Sequence, residues 1–212
     1  MGQDFSLHSD HGSFSDQSVQ TASTETSAWI SELFDTSARG GSSGKSFSGG
    51  AIANIDLPAN WTNGRHSENP TTGRKYDEFF PKGASDISPR IQIYERGLDV
   101  GATAAANFSK LLGAPDHRLD DNELKSLGNV LDNKTRSSEF RIDQGWTETV
   151  NGKRVLFVEG EFLEDHKKSL SMIVDRDGTG AHTQELTYIA PSSKYDGKRS
   201  EALNSFKSIS WR

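Results

Sequence analysis

The best candidate for a metal site in this 212-residue sequence is the run DRDGTG from Asp175 to Gly180. With Asp175 as position 1 of a calcium loop, Asp177 falls at 3, Thr179 at 5 and Gly180 at 6, in the order such loops use. Position 12, where a bidentate Glu should close the shell, is Leu186, and Glu185 stands one place early. The flanks also read as strands, whereas a calcium loop joins helices. Asp and Gly are equally what a tight reversal needs, because a short carboxylate accepts backbone N–H groups and Gly supplies positive φ. A Gly-rich hairpin turn is therefore the expected role. Glu159 and Glu161 alternate about Gly160 and would share one strand face, where two carboxylates could divide acid and base work; acids at the exposed end of a strand are the ordinary case.

The six histidines, His8, His11, His66, His117, His166 and His182, are scattered. A zinc hydrolase wants a pair at helical spacing and a third ligand, which these positions do not supply. His8 and His11 lie in a polar tail, and His166 follows Glu164 and Asp165 in what reads as a solvated turn. With no Cys there is no thiolate site, disulfide or cysteine nucleophile, and no G-x-S-x-G elbow occurs. The segment RGGSSGKS (residues 39–46) ends as a phosphate-cradling loop does, but Arg39 stands where the first Gly is required and no apolar strand leads in, so it reads as a flexible linker. Lys134, Arg136, Lys153, Arg154, Lys167 and Lys168 could gather at one end of a sheet as an anion-attracting patch, diluted by neighbouring acids. Asn60, Asn107 and Asn133 open N-x-[ST] triplets, and Gly2 with Ser6 fits the N-myristoylation pattern. The expectation is no catalytic residue, no metal site and no cofactor.

Composition divides the chain. Residues 1–50 are rich in Ser, Gly, Thr, Asp and Gln and carry Asp4, Asp10, Asp16, Glu25, Glu32 and Asp35 against Arg39 and Lys45, which accounts for −4 of the net −6. Such a stretch buries too little apolar surface to offset the entropy of ordering and reads as a disordered tail, leaving residues 51–212 as a single nearly charge-balanced domain. That balance gives no footprint for a nucleic-acid partner. No apolar run approaches a membrane span, and the start lacks a signal-peptide pattern, so the sequence as written reads as cytoplasmic; it would be periplasmic or secreted if a signal was removed or a non-general export route serves. One island interrupts the tail. In residues 27–38, Trp29, Ile30, Leu33 and Phe34 lie on one face of a short helix, which is marginal alone and needs a surface: this chain's own domain, another protein's groove or a membrane. These four are the candidate partner-binding residues.

The elements that must position everything else centre on residues 139–163. Phe140, Ile142, Trp146 and Val150 alternate along a first arm, Asn151 and Gly152 suit a two-residue turn, and Val155 to Val158 open a second arm apolar on both sides, the mark of a central strand. The register that follows sets Val150 opposite Lys153, Trp146 opposite Phe157 and Phe140 opposite Leu163. Ahead of it, residues 51–61 suggest a strand ending at Pro58, residues 62–89 a long loop or short hairpin, and residues 90–96 a strand. Asp99 is placed to cap a helix reaching Leu112, and Asp120 with Glu123 to box the start of a second reaching Leu131. After the hairpin come strands through Leu170, Met172, Val174 and through Leu186, Tyr188, Ala190, then a helical pattern from Lys198 with Ile209 and Trp211 beyond it.

The entry LPANW (57–61), the arm GKRVLFVEGEF (152–162), the exit LTYIAPSSKYDG (186–197) and the ending ALNSFKSISW (202–211) together resemble the PsbP-like family, over residues 51–212. The resemblance implies an α+β fold in which an antiparallel sheet is sandwiched by helices, and an accessory or protein-binding role without catalysis. Members include photosystem II extrinsic subunits, a Ran-binding nucleotide-release factor, and bacterial secretion chaperones and envelope proteins, so no ligand transfers with the fold. The polar first 50 residues and the 62–89 segment depart from the family pattern. The function expected is a non-catalytic accessory or protein-binding domain, of a bacterial secretion or envelope system among the candidates. The alternatives are a metal-dependent hydrolase using the 175–185 loop with Asp175, Asp177, His182, Glu159 and Glu161, and a secreted effector with an export signal in its tail.

Overall fold

Asn151 and Gly152 both take positive φ, 47° and 85°, which is the backbone a two-residue reversal between twisted strands requires. In the computed structural model, which describes residues 46–84, 89–135 and 139–212, that turn joins β6 (Phe140–Val150) to β7 (Lys153–Phe162). Val150 pairs with Lys153 and Trp146 with Phe157, whose rings stack at 5.0 Å and 11°. The far end slips by one residue from the expected register, with Phe140 opposite Phe162 rather than Leu163. A bulge causes it: Ile142 faces Gly160 and Gln144 faces Glu159, leaving Asp143 unopposed. Because side chains alternate, the extra residue also moves Ile142 to the sheet face opposite Trp146 and Val150.

Around this hairpin the remaining strands are β1 (Ser46–Gly49), β2 (Ile52–Asp56), β3 (Trp61–Asn69), β4 (Arg74–Pro81), β5 (Arg90–Glu95), β8 (Lys167–Asp175), β9 (Thr183–Pro191) and β10 (Ser210–Trp211). Seven form one antiparallel sheet in the order β3-β4-β5-β9-β8-β7-β6, and β1-β2-β10 form a small second sheet. Helices α1 (Ala102–Gly113), α2 (Asp121–Ser126) and α3 (Tyr195–Lys207), with a 3-10 segment Gly128–Thr135, complete an α+β architecture. Among the described residues no helix is long and apolar enough to cross a membrane.

Val155, Leu156, Phe157 and Val158 are all fully buried, so β7 is an interior strand, though it lies next to the edge strand β6 rather than at the middle of the sheet. Its Phe157 side joins Leu170, Met172, Leu186 and Tyr188 in a core completed by Ala202 and Phe206 of α3 and Ile52 and Ile55 of β2. Its Leu156 side joins Val158 and Ile173 to Ala105, Phe108 and Leu111 of α1, with Leu127, Val130 and Leu131 behind. Each fully buried side chain of this size contributes roughly 1.5–3 kcal/mol.

Several local expectations are corrected. Ser46–Gly49 falls in the expected linker and tail but is a strand, because Phe47 has an aromatic partner in Phe79 at 5.9 Å. Of the two readings for residues 62–89, the hairpin is the one found, formed by β3 and β4. Asp99 does not cap α1; Gly101 occupies that place without a side-chain cap, and Asp99 pairs with His182. Asp120 and Glu123 do form a capping box, but α2 stops at Ser126, and the 3-10 segment breaks at Asp132, whose φ is 52°. The tail residues Trp29, Ile30, Leu33 and Phe34, the histidines His8 and His11, the linker from Arg39 to Lys45, and Arg136 lie outside the described residues.

The small sheet is fastened to the large one by Gln184, which is fully buried on β9. Its Oε1 accepts from Ala51 N at 2.9 Å and its Nε2 donates to Gly49 O at 3.1 Å, closing off the β1–β2 turn. Replacing it by Leu removes both bonds and leaves a buried N–H and C=O without partners. Gln184→Leu should cost about 2–6 kcal/mol, at the rate of about 1–3 kcal/mol per orphaned group, read as a lower urea midpoint at unchanged m-value.

Candidate functional site

A cleft of about 510 Å³ opens where β1 approaches the β3–β4 hairpin, walled by Phe47, Asn63, His66, Asp77, Phe79 and Arg212. A bulge in the edge strand shapes it, since Asn63 pairs with Phe79 and His66 with Asp77, so that Gly64 and Arg65 together stand opposite Glu78. Gly64 is needed there because the Phe80 ring lies 2.3 Å from where a Cβ would sit. The extra residue re-aims His66 onto the Asp77 side of the sheet, where Nδ1 meets Asp77 Oδ1 at 2.7 Å. Lys75 pairs with Glu68 at 3.1 Å, Arg212 Nη2 donates to Ser48 Oγ at 2.9 Å, and buried Glu95 takes Arg176 Nη1 at 3.0 Å. Both charge signs are present, over an aromatic floor.

The residues singled out for catalysis or metal binding do not line this cleft, and among them Asp177 and His182 meet while Asp175, Glu159 and Glu161 take other partners. Asp175 spends its two oxygens on Gly178 N and Gly180 N, each at 3.0 Å, and Asp177 Oδ1 accepts from Thr179 N and from its hydroxyl at 2.6 Å. The Thr179 bonds, with His182 Nδ1 2.6 Å from Oδ2, hold the Asp177 carboxyl near a pKa of about 2. These are the bonds of a reversal between β8 and β9, as the flanks suggested. Glu185 points elsewhere and pairs with buried Lys134; burial pushes its pKa up, but Lys134 together with the Ser171 and Thr187 hydroxyls brings it below the ordinary value. Among the described residues no group of three or more His, Asp or Glu is arranged to hold a metal ion.

Glu159 departs most from its sequence reading. It is buried, not at an exposed strand end, and accepts from Arg199 Nε at 2.6 Å, Arg199 Nη2 at 2.8 Å, Tyr195 Oη at 2.7 Å and Gln144 Nε2 at 2.7 Å. Burial raises its pKa, but the Arg199, Tyr195 and Gln144 bonds together bring it down to about 2. A carboxylate so saturated is a weak base at neutral pH and a strong anchor for α3. Glu161 has separate partners, Ser192 Oγ at 2.9 Å and Arg141 Nη2 at 2.8 Å, which lower its pKa in that order of effect. Among the described residues the basic side chains take separate partners, with Lys134 on Glu185. Lys153 lies over the Trp211 ring, Arg154 on Asp116, Lys167 on Asp165 and Lys168 over Tyr195. His166, at φ 49°, sits in the β7–β8 turn as expected.

Sequence reading missed Gln184, Arg199 and the His66–Asp77 pair. The first two act across about 135 and 40 residues, and the third is set by a bulge, so periodicity gives no signal for any of them.

No family model matches the chain, and no curated protein does. Among solved structures, the solution structure of cyanobacterial PsbP (CyanoP) from Synechocystis sp. PCC 6803 aligns at 12% identity with a TM-score of 0.36, over 73% of this chain and 94% of that one. Similarity at that level says nothing of what this protein binds.

Glu159 generates a pH test. Its folded pKa lies below the ordinary 4.5, so its contribution is present above that value and lost as pH falls toward 2. The protein should lose about 3 kcal/mol of stability over that window through this group, at about 1.4 kcal/mol per unit. Glu159→Gln should be less stable at pH 7 and show a correspondingly flatter acid limb in urea melts.

Proposed function

We propose that this chain is a non-catalytic accessory domain that binds another protein along β3 and the cleft beside it. The observation that carries this reading is the unequal treatment of the two sheet edges. Along β6, residues 116–119 occupy the outer edge: Leu119 N donates to Gly145 O, and Thr147 N to His117 O, both at 2.9 Å. Among the described residues β3 pairs with β4 alone. An edge with open backbone groups accepts an extended segment, and neighbouring recesses then select its alternate side chains. Here the recess offers the Phe47–Phe79 floor and the His66–Asp77 pair, which suits a strand carrying both apolar and polar side chains. The saturation of Glu159, Asp175 and Asp177 by the protein's own donors favours binding over the hydrolase alternative.

Trp29, Ile30, Leu33 and Phe34 are proposed as a second contact, a short amphipathic segment docking on the same partner. A bacterial secretion or envelope assembly is the proposed setting, following the resemblance of the sequence.

Capture of partners by the full-length protein from an extract of its source cells tests this directly. Asn63→Arg places bulk and charge on an exposed position of β3 and should abolish capture while stability changes by less than about 0.5 kcal/mol. Trp29→Ala with Phe34→Ala should weaken capture with an unchanged melt. Unaltered capture by the β3 variant would remove the edge from consideration. Stoichiometric calcium or zinc accompanied by turnover would favour the hydrolase, and lost export with capture retained in the tail variant would favour the secreted effector.

A further inference from the structure

The segment lying along β6 is fastened by two side chains of its own. Asp116 accepts from Thr149 N at 2.9 Å and from Arg154 Nε at 2.6 Å. His117 places Nδ1 2.8 Å from Pro115 O and Nε2 3.0 Å from Glu123 Oε1. Both of these oxygens only accept, so the two contacts are hydrogen bonds together only when the ring carries two protons; the Thr147 hydroxyl, which can also donate, stands farther from Nδ1 at 3.5 Å. Between these fasteners the backbone acts as a short added strand, with Arg118 bridging Trp146 in antiparallel sense and His117 N donating to Thr147 Oγ1 at 3.1 Å.

We infer that residues 115–119 are a proton-locked guard over the edge of β6. With His117 doubly protonated the guard covers the backbone groups of Gly145 and Thr147; when the proton leaves, one ring contact loses its hydrogen, the guard opens more often, and those groups are exposed to solvent. The charges around the ring agree with that direction. α2 presents Glu123 and Asp120, the guard itself carries Asp116 and Arg118, β7 contributes Arg154 already held by Asp116, and β6 presents the hydroxyls of Thr147 and Thr149. The Pro115 carbonyl first and the Glu123 carboxylate second raise the pKa of His117 above its ordinary 6.5. A raised pKa means that the lock is fully present below the ordinary value and is lost as pH climbs through the folded one.

Amide hydrogen exchange of the full-length protein, followed residue by residue, tests this. Protection at Leu119 and Thr147, taken as a ratio to Met172 in the interior of β8 so that base catalysis cancels, should fall at least about threefold between pH 5.5 and 8.5, the scale of one exposed charge-assisted contact. In His117→Gln the ratio should be low and independent of pH. Glu123→Gln keeps an oxygen for the capping box but removes the charge, and should flatten the profile while Met172 protection shows the fold intact. No fall in the unmodified protein, or the same fall in His117→Gln, would overturn the inference.

Discussion

A strand stripped of water on both sides has to be covered on both sides, and β7 between Val155 and Val158 is such a strand. Phe157 and Leu156 project to opposite faces, and each face needs its own layer. α3 with the small sheet answers one; α1 with the 3-10 segment answers the other. The turn at Asn151 and Gly152 matters because it sets the register that decides which residue meets which layer. Had β6 slipped by one position at Trp146, the indole would have left the core containing Phe157 for the one containing Leu156.

Polar groups within this frame act as fasteners. Glu159, Gln184 and Lys134 are each buried at a joint: α3 to β7, the small sheet to β9, and, through Glu185, the 3-10 segment to β9. A buried charge is costly to desolvate, and breaking one of these pairs would cost more than forming it contributes. Their value lies in fixing one arrangement among several that burial alone would permit, since apolar contact is indifferent to small rotations and bidentate hydrogen bonding is not. The same saturation occupies the carboxylate oxygens of Asp175 and Asp177 in the β8–β9 reversal.

The functional consequence lies at the two ends of the sheet. One end carries its own cover, in the form of an irregular segment held by Asp116 and His117. The other carries a bulge, a mixed-charge cleft and, among the described residues, no neighbouring strand. Edges invite pairing, so a chain that covers one and shapes a recess beside the other has separated a protected surface from an accessible one.

Much of the architecture was legible in the sequence by itself. Alternation identified β7 with apolar residues on both faces, the Asn-Gly pair located the turn and thereby the Trp146–Phe157 contact, and Asp120 with Glu123 announced a helix start, because all of these depend on residues within a few positions of one another. The tertiary structure alone decided the bulge at Asp143 that moves Phe140 by one place, the capture of Phe47 from an apparent linker, and the burial of Glu159 under Arg199. It also decided that Asp99 meets His182 instead of capping a helix. Those outcomes depend on groups distant in sequence competing for the same hydrogen bond or the same volume, and a local pattern carries no record of which competitor arrives.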